Sequence, residues 1–278
     1  MTSTVNLQDW VGREIERTDN LRPEPARFMQ ATLDHDPTFT TGDRLPPLWH
    51  WLYFLEAARA SDLGRDAHPK RGGFLPPVTL PRRMWAGGRF AFHTDLVLGQ
   101  AATKRSTIKS VVEKEGRTGP LCFVTVHHDY LQAGQLALSE EHDIVYRADP
   151  GPQDEAAEPA QAPEHAEFSQ TITPTQVLLF RYSALTFNGH RIHYDADYAR
   201  DVEGYDGLVF HGPLTATLLL DLACRQMARP PKKFTFRGLA PISGLAEFHI
   251  EGRQNKGTAD LWARRADGAL AMSATASF

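Results

Sequence analysis

The chain has 278 residues and is 41% hydrophobic, enough for one large core or two smaller ones of roughly 130 residues each. Thirty Lys and Arg against 34 Asp and Glu give a formal charge of -4 with no long basic block, which argues against a nucleic-acid partner. No segment approaches ~18 consecutive apolar residues and the amino terminus lacks a basic-then-apolar leader, so the expectation is a cytoplasmic protein with no membrane partner.

In chain order, "RPEPARFMQATLDHDP" has helical spacing through Phe28, Met29 and Leu33. The apolar "PPLWHWLYFLEAAR" opens on prolines suited to a helix start and predicts a long helix near Pro47 to Arg59. "RSTIKSVVEKEG", "GPLCFVTVHHDYLQAG" and "LALSEEHDIVYR" read as strands separated by turn residues. Ala148 to Glu167, "ADPGPQDEAAEPAQAPEHAE", is rich in Pro, Ala and acidic residues and reads as a linker between halves 1–147 and 168–278.

The second half repeats the order of elements. "TPTQVLLFRYSALTFNG" predicts a helix with Thr173 as its cap and Pro174 just inside, and "HGPLTATLLLDLACRQM" predicts a long apolar helix near Pro213 to Met227. "KKFTFRGLAPI", "GLAEFHIEGRQNKG", "TADLWARRADG" and "GALAMSATASF" then read as strands. A long apolar helix needs a large apolar surface, and the face of an antiparallel sheet supplies one. The expected class is α+β, two similar units each with a curved antiparallel sheet wrapped around a long helix. Cys122 and Cys224 lie in apolar stretches and read as buried free thiols of a reducing compartment.

The chemistry concentrates in "TFNGHRIHYD", Thr186 to Asp195. Metal ligation by His190 and His193 needs a third protein ligand, for which His211 is the candidate; there are no paired thiolates and no HExxH. A polar loop capping the preceding helix is the plain alternative. Against it stands density: Asn188, His190, Arg191, His193, Tyr194 and Asp195 crowd one loop, with His211 and Gly212 entering a helix nearby, which suits proton transfer to and from one ligand.

"YSALTFNGHRIHYD" followed by "GLVFHGPLTATLLL" resembles the second-half signature of the MaoC-like hydratase and dehydratase family, and "LPPLWHWLYF" with "LPRRMWAGGRF" resembles the amino-terminal half of its two-domain subgroup. The resemblance implies a double hot-dog fold and reversible hydration of a 2-enoyl-CoA thioester, with mesaconyl-C4-CoA to citramalyl-CoA as the preferred specific reaction. A general 3-hydroxyacyl-thioester dehydratase and a noncatalytic acyl-CoA-binding subunit are the alternatives. No cofactor or metal is implied, coenzyme A being part of the substrate, and the expected assembly is a homodimer or higher homo-oligomer. The family pattern has an aspartate five residues before the catalytic histidine; here the histidine position is His193 and the aspartate position is Asn188. Asn188 can orient water but cannot act as a carboxylate base, so His190 or Asp195 would orient or relay protons. Backbone N–H groups of Gly212 and Leu214, beside His211, would hold the thioester oxygen. Arg237, Arg82, Arg83 and Arg89 are the candidates for phosphate or carboxylate. The amino-terminal half, with "LDHDPTF" in place of the histidine-rich loop, is expected to be noncatalytic and to shape the acyl pocket.

Overall fold

The computed structural model of the protein describes residues 6–116, 119–149 and 158–278. The amino-terminal half contains strands β1 (Glu14–Asp19), β2 (Arg82–Phe92), β3 (Ala102–Gly116), β4 (Gly119–Gln132) and β5 (Gln135–Arg147), with helix α1 (Pro23–Thr32). The carboxy-terminal half contains β6 (Phe168–Ile172), α2 (Gln176–Leu185), α3 (Gly212–Met227), β7 (Lys233–Gly238), β8 (Phe248–Asn255), β9 (Thr258–Arg265) and β10 (Leu270–Ser277). All ten strands form one antiparallel sheet in the order β1-β3-β4-β5-β2-β7-β10-β9-β8-β6. The architecture is the expected double hot-dog.

Two units meet where β2 pairs with β7, from Gly87 opposite Arg237 to Ala91 opposite Lys233. Sequence pattern alone does not mark "RRMWAGGRFAF" as a strand, because its glycines weaken the pattern. They are there for contact: a Cβ on Gly87 would lie 2.5 Å from the Phe236 carbonyl oxygen. β4 buries alternate residues, Cys122, Val124, Val126, His128 and Tyr130, as a strand with one covered face should.

The long helix of the fold is α3, whose Leu214, Leu218, Leu219, Leu220 and Leu222 are buried against the sheet. At Pro47 to Arg59 the expected helix is absent; only Trp49–Leu52 make a single 3-10 turn. Leu48 and Phe54 on either side have positive φ, 67° and 56°, which an α-helix cannot contain. The cause is a buried anchor. The Glu140 carboxylate of β5 accepts bonds from His50 Nε2 (3.0 Å), Trp51 Nε1 (3.1 Å) and the Tyr130 hydroxyl (2.9 Å), so the segment is pulled onto the sheet. Its aromatic residues join α3 in one apolar cluster that spans both halves.

Two local expectations also change. The cap of α2 is Thr175, whose hydroxyl accepts from the Leu178 N–H at 3.1 Å, whereas the Thr173 hydroxyl donates to Glu247. Of the Ala148 to Glu167 linker, residues 150–157 lie outside the described residues. Its later part is laid against the second unit: Ala162 N–H donates to Gly268 O (2.9 Å) and Glu167 N–H to Gly252 O (2.9 Å).

Candidate active site

α2 ends in a Schellman-type turn. Phe187 has φ 48°, its N–H donates to Ala184 O (3.2 Å), and Asn188 N–H donates to Ser183 O (2.8 Å). A left-handed phenylalanine costs about 1–2 kcal/mol, and what it achieves is to swing the following loop across the seam of the two units. Within that loop Asn188 Oδ1 accepts from the His190 N–H at 3.0 Å, and Val209 N–H donates to Ile192 O at 2.9 Å. The loop is therefore fixed at both ends.

A cavity of ≈ 500 Å³ opens at this seam. From the second half it is lined by Asn188, His190, His193 and the start of α3 at Gly212, and from the first half by Met84–Ala86, His142 and Ile144. A larger cavity of ≈ 1010 Å³ adjoins it, the two sharing His68, Arg83, His142 and Asn188 among their walls.

His193 is 7% exposed and its Nδ1 lies 2.8 Å from the Val209 carbonyl. An Nδ1–H donates there, which leaves a lone pair on Nε2. Burial, only partly opposed by that hydrogen bond, pushes the imidazole down to about 4, so it is neutral at pH 7. His211 stacks on it with ring centroids 3.6 Å apart and is itself anchored through Nε2 to the Ser183 hydroxyl at 2.9 Å. His190 stands edge-on to His193 at 5.5 Å; burial and the neighbouring imidazoles push it down to about 2.

Gly212 opens α3 with Pro213 following, and a Cβ placed on Gly212 would meet nothing within 4 Å. The first N–H groups of a helix have no partner inside it and carry the positive end of its dipole. Gly212 thus presents a donor at an open wall. Leu214 is fully buried and its side chain serves the core, while its N–H belongs to the same first turn.

Of the expected residues, His211 and Leu214 lie buried behind the cavity wall, and three others lie away from it. Asp195 is held by Arg191 at 2.7 Å and accepts from Tyr198 N–H at 3.0 Å, outside the walls of the cavity. Arg89 is engaged by Asp143 (2.5 Å) and Glu141 (2.7 Å), and Arg237 is an exposed strand residue; neither is in the walls of these two cavities. Arg82 does line the cavity but is buried in an ion pair with Glu203 at 2.9 Å and donates to the Tyr205 hydroxyl at 3.1 Å. Arg83 remains, facing both cavities and making no ion pair among the described residues.

Sequence reading missed Asp66 and His68. They come from the first half, lie against His190, and with it form a group whose ligand atoms are all within 4.8 Å of one another, the spacing of a candidate metal site. No short motif marks them, since "GRDAHPK" has no family spacing; their significance is entirely one of contact.

A ten-stranded antiparallel sheet in two units, with a histidine-lined seam beneath the amino end of one buried helix, defines a protein of the double hot-dog class. The chain belongs to the hydroxyacyl-thioester dehydratase type 2 family, whose sequence profile matches residues 48–244. It is 47% identical over 275 residues to mesaconyl-C(4)-CoA hydratase of Chloroflexus aurantiacus, covering 98% of this chain and 98% of that protein. A MaoC-like dehydratase from Phytophthora capsici superposes with TM-score 0.70 at 13% identity, over 99% of this chain and 98% of that one. A Mycobacterium tuberculosis protein described as a double hotdog fold gives TM-score 0.56 at 12% identity, over 96% of each chain. No described helix is long and apolar enough to cross a membrane.

Proposed function

We propose that this chain catalyses the reversible hydration of a 2-enoyl-CoA thioester bearing a second carboxylate, with mesaconyl-C4-CoA, giving citramalyl-CoA, as the substrate. The observation that carries the reading is His193: neutral, oriented by the Val209 carbonyl, and with Nε2 left to accept a proton. In this reading Nε2 takes a proton from water as the oxygen bonds to the β carbon. The π pair moves toward the α carbon and charge develops on the thioester oxygen. The Gly212 N–H, with Leu214 and the α3 dipole behind it, stabilises that charge. Asn188 orients the water, and His211 keeps the His193 ring in its plane by stacking. Arg83, which makes no ion pair among the described residues, holds the second carboxylate.

The base and the oxyanion donors come from the carboxy-terminal half, and Met84–Ala86, His142 and Ile144 of the other half shape the acyl end. The addition needs no cofactor beyond the coenzyme A carried by the substrate. Free Cys122 and Cys224 support a cytoplasmic home. Val177, Phe180 and Phe187, exposed on α2 and just beyond, support self-association into a homodimer or higher homo-oligomer.

The test is to incubate purified protein with monocarboxylic and dicarboxylic enoyl-CoA thioesters and to identify products by mass. Wild type should add 18 mass units, about one water, to the dicarboxylic substrate, and His193→Ala should lower kcat at least about a hundredfold while still binding acyl-CoA. Tight binding with no turnover of any thioester by the wild type would leave the acyl-CoA-binding reading instead.

A further inference from the structure

Asp66 and His68 bring a largely buried carboxylate–imidazole pair to the cavity wall formed on the other side by Asn188, His190 and His193. His68 Nδ1–H donates to Asp66 Oδ2 at 3.0 Å, and the His68 backbone N–H donates to Asp66 Oδ1 at 3.1 Å. The carboxylate thus fixes the ring and leaves Nε2 available. Both residues line the same cavity as His193 and Gly212. The His68 ring lies 4.4 Å from that of His190, which lies 5.5 Å from that of His193.

The two loops are built to touch. Arg191 N–H donates to the Asp66 carbonyl at 3.2 Å, and the Arg191 guanidinium reaches the Arg65 carbonyl at 3.4 Å. A Cβ on Gly189 would come within 3.0 Å of the Ala67 carbonyl oxygen, so glycine is what lets the strands of loop close. Ala67 itself sits at φ 63°, a conformation that costs a residue with a side chain and persists where surrounding contacts impose it.

We propose that the Asp66–His68 pair is the second acid–base group of the reaction, His68 exchanging the proton at the α carbon and Asp66 positioning and charge-compensating it. The proposal rests on the hydratase reading above. In hydration the reactive form of the pair is the protonated one, an imidazolium beside a carboxylate, a minor form that burial and Arg83 disfavour and the Asp66 carboxylate supports. Water loses a proton to His193 Nε2 as its oxygen bonds to the β carbon, and the C=C π bond breaks. The electron pair left on the α carbon takes the proton from His68 Nε2. One C–O and one C–H bond have formed; His68 ends neutral and His193 protonated. His190, between the two rings, returns the proton from His193 to His68. Dehydration runs the same steps backwards, with neutral His68 removing the α proton. The active state therefore carries one proton shared by the cluster.

The charges that face His68 are Asp66 on its own loop, Arg71 on the chain beyond it, Arg83 on β2, and His190 and His193 on the opposing loop. Burial and Arg83 lower the His68 imidazole, while Asp66 raises it. Burial acts to raise the Asp66 carboxyl, but His68 and Arg83 outweigh it and keep it ionised. Removing the carboxylate must therefore make the one-proton state harder to hold.

The experiment is kcat/KM against pH, together with exchange of the α proton of the hydroxyacyl-CoA product in D₂O, for wild type, Asp66→Asn, Asp66→Glu, His68→Ala and His68→Gln. His68→Ala should lower kcat and α exchange at least about a hundredfold with KM little changed. Asp66→Asn should move the basic limb of the profile to lower pH, and Asp66→Glu should restore part of it. Thermal unfolding identifies any variant that does not fold; His68→Gln, whose amide can still donate to Asp66, then carries the same comparison. Folded variants with wild-type exchange and an unmoved profile overturn the proposal. So does loss of activity on chelation that added Zn²⁺ restores, which would make Asp66, His68 and His190 metal ligands. If His193→Ala alone abolishes turnover, the hydratase reading stands and only this pair is refuted; a wild type inert toward every enoyl-CoA refutes the reading itself.

Discussion

Arg83 carries its charge to the meeting point of two cavities, while its neighbour in sequence, Arg82, is buried in an ion pair with Glu203. Both line the first cavity, and what separates them is pairing: Arg82 is held by Glu203, whereas Arg83 makes no ion pair among the described residues and also reaches the second cavity. A charge-assisted contact to a substrate carboxylate is worth ~1.5–3 kcal/mol, or roughly ten- to hundredfold in affinity. Arg83→Gln should therefore raise KM for a dicarboxylic enoyl-CoA by that factor and leave a monocarboxylic one of equal length nearly unchanged. Equal losses on both substrates, in a steady-state comparison, would assign Arg83 to the fold. The four arginines named from sequence could not be ranked there, because ion pairing with Glu203, Glu141 and Asp143 depends on strand register and not on neighbours in the chain.

Among the elements, α3 and the histidine-rich loop were readable because their signals are local: Gly-Pro before an apolar run, and a dense polar stretch after a helix. The segment from Pro47 was misread for a physical reason. Its apolar content promises burial, but Glu140, far along the chain, decides the backbone by binding His50 and Trp51. Tertiary contact overrode propensity. Asp66 and His68 were illegible for the same cause, since only the fold brings them to His190. The β2–β7 junction makes the point testable. Gly87→Ala would force its Cβ against the Phe236 carbonyl oxygen and spread the two units. A change of this kind, overpacking a closed contact, typically costs ~1–3 kcal/mol, which urea titration would register as a lower midpoint. An unchanged midpoint would mean that the strands separate freely.

At the scale of the molecule, the sheet runs unbroken from β1 to β6 and one apolar cluster takes residues from both halves, Trp49 and Phe54 together with Leu214 and Phe278. The first half also holds a second cluster of its own around Ile108, Val124 and Tyr146, but the larger core is shared between the halves. Unfolding should then be a single cooperative transition, with calorimetric and van't Hoff enthalpies in agreement. Two resolved transitions would show that the halves are separately stable.

The contact between the Asp66 loop and the His190 loop has a bearing on both halves as well as on chemistry. Where the walls of one cavity come from both halves, a change in either is felt across the seam. Glycine at position 189 is then answerable to a carbonyl contributed by Ala67 in the other half. A side chain at position 189 would need the backbone at Ala67 to give way, so the two loops keep this contact only if both conform to it.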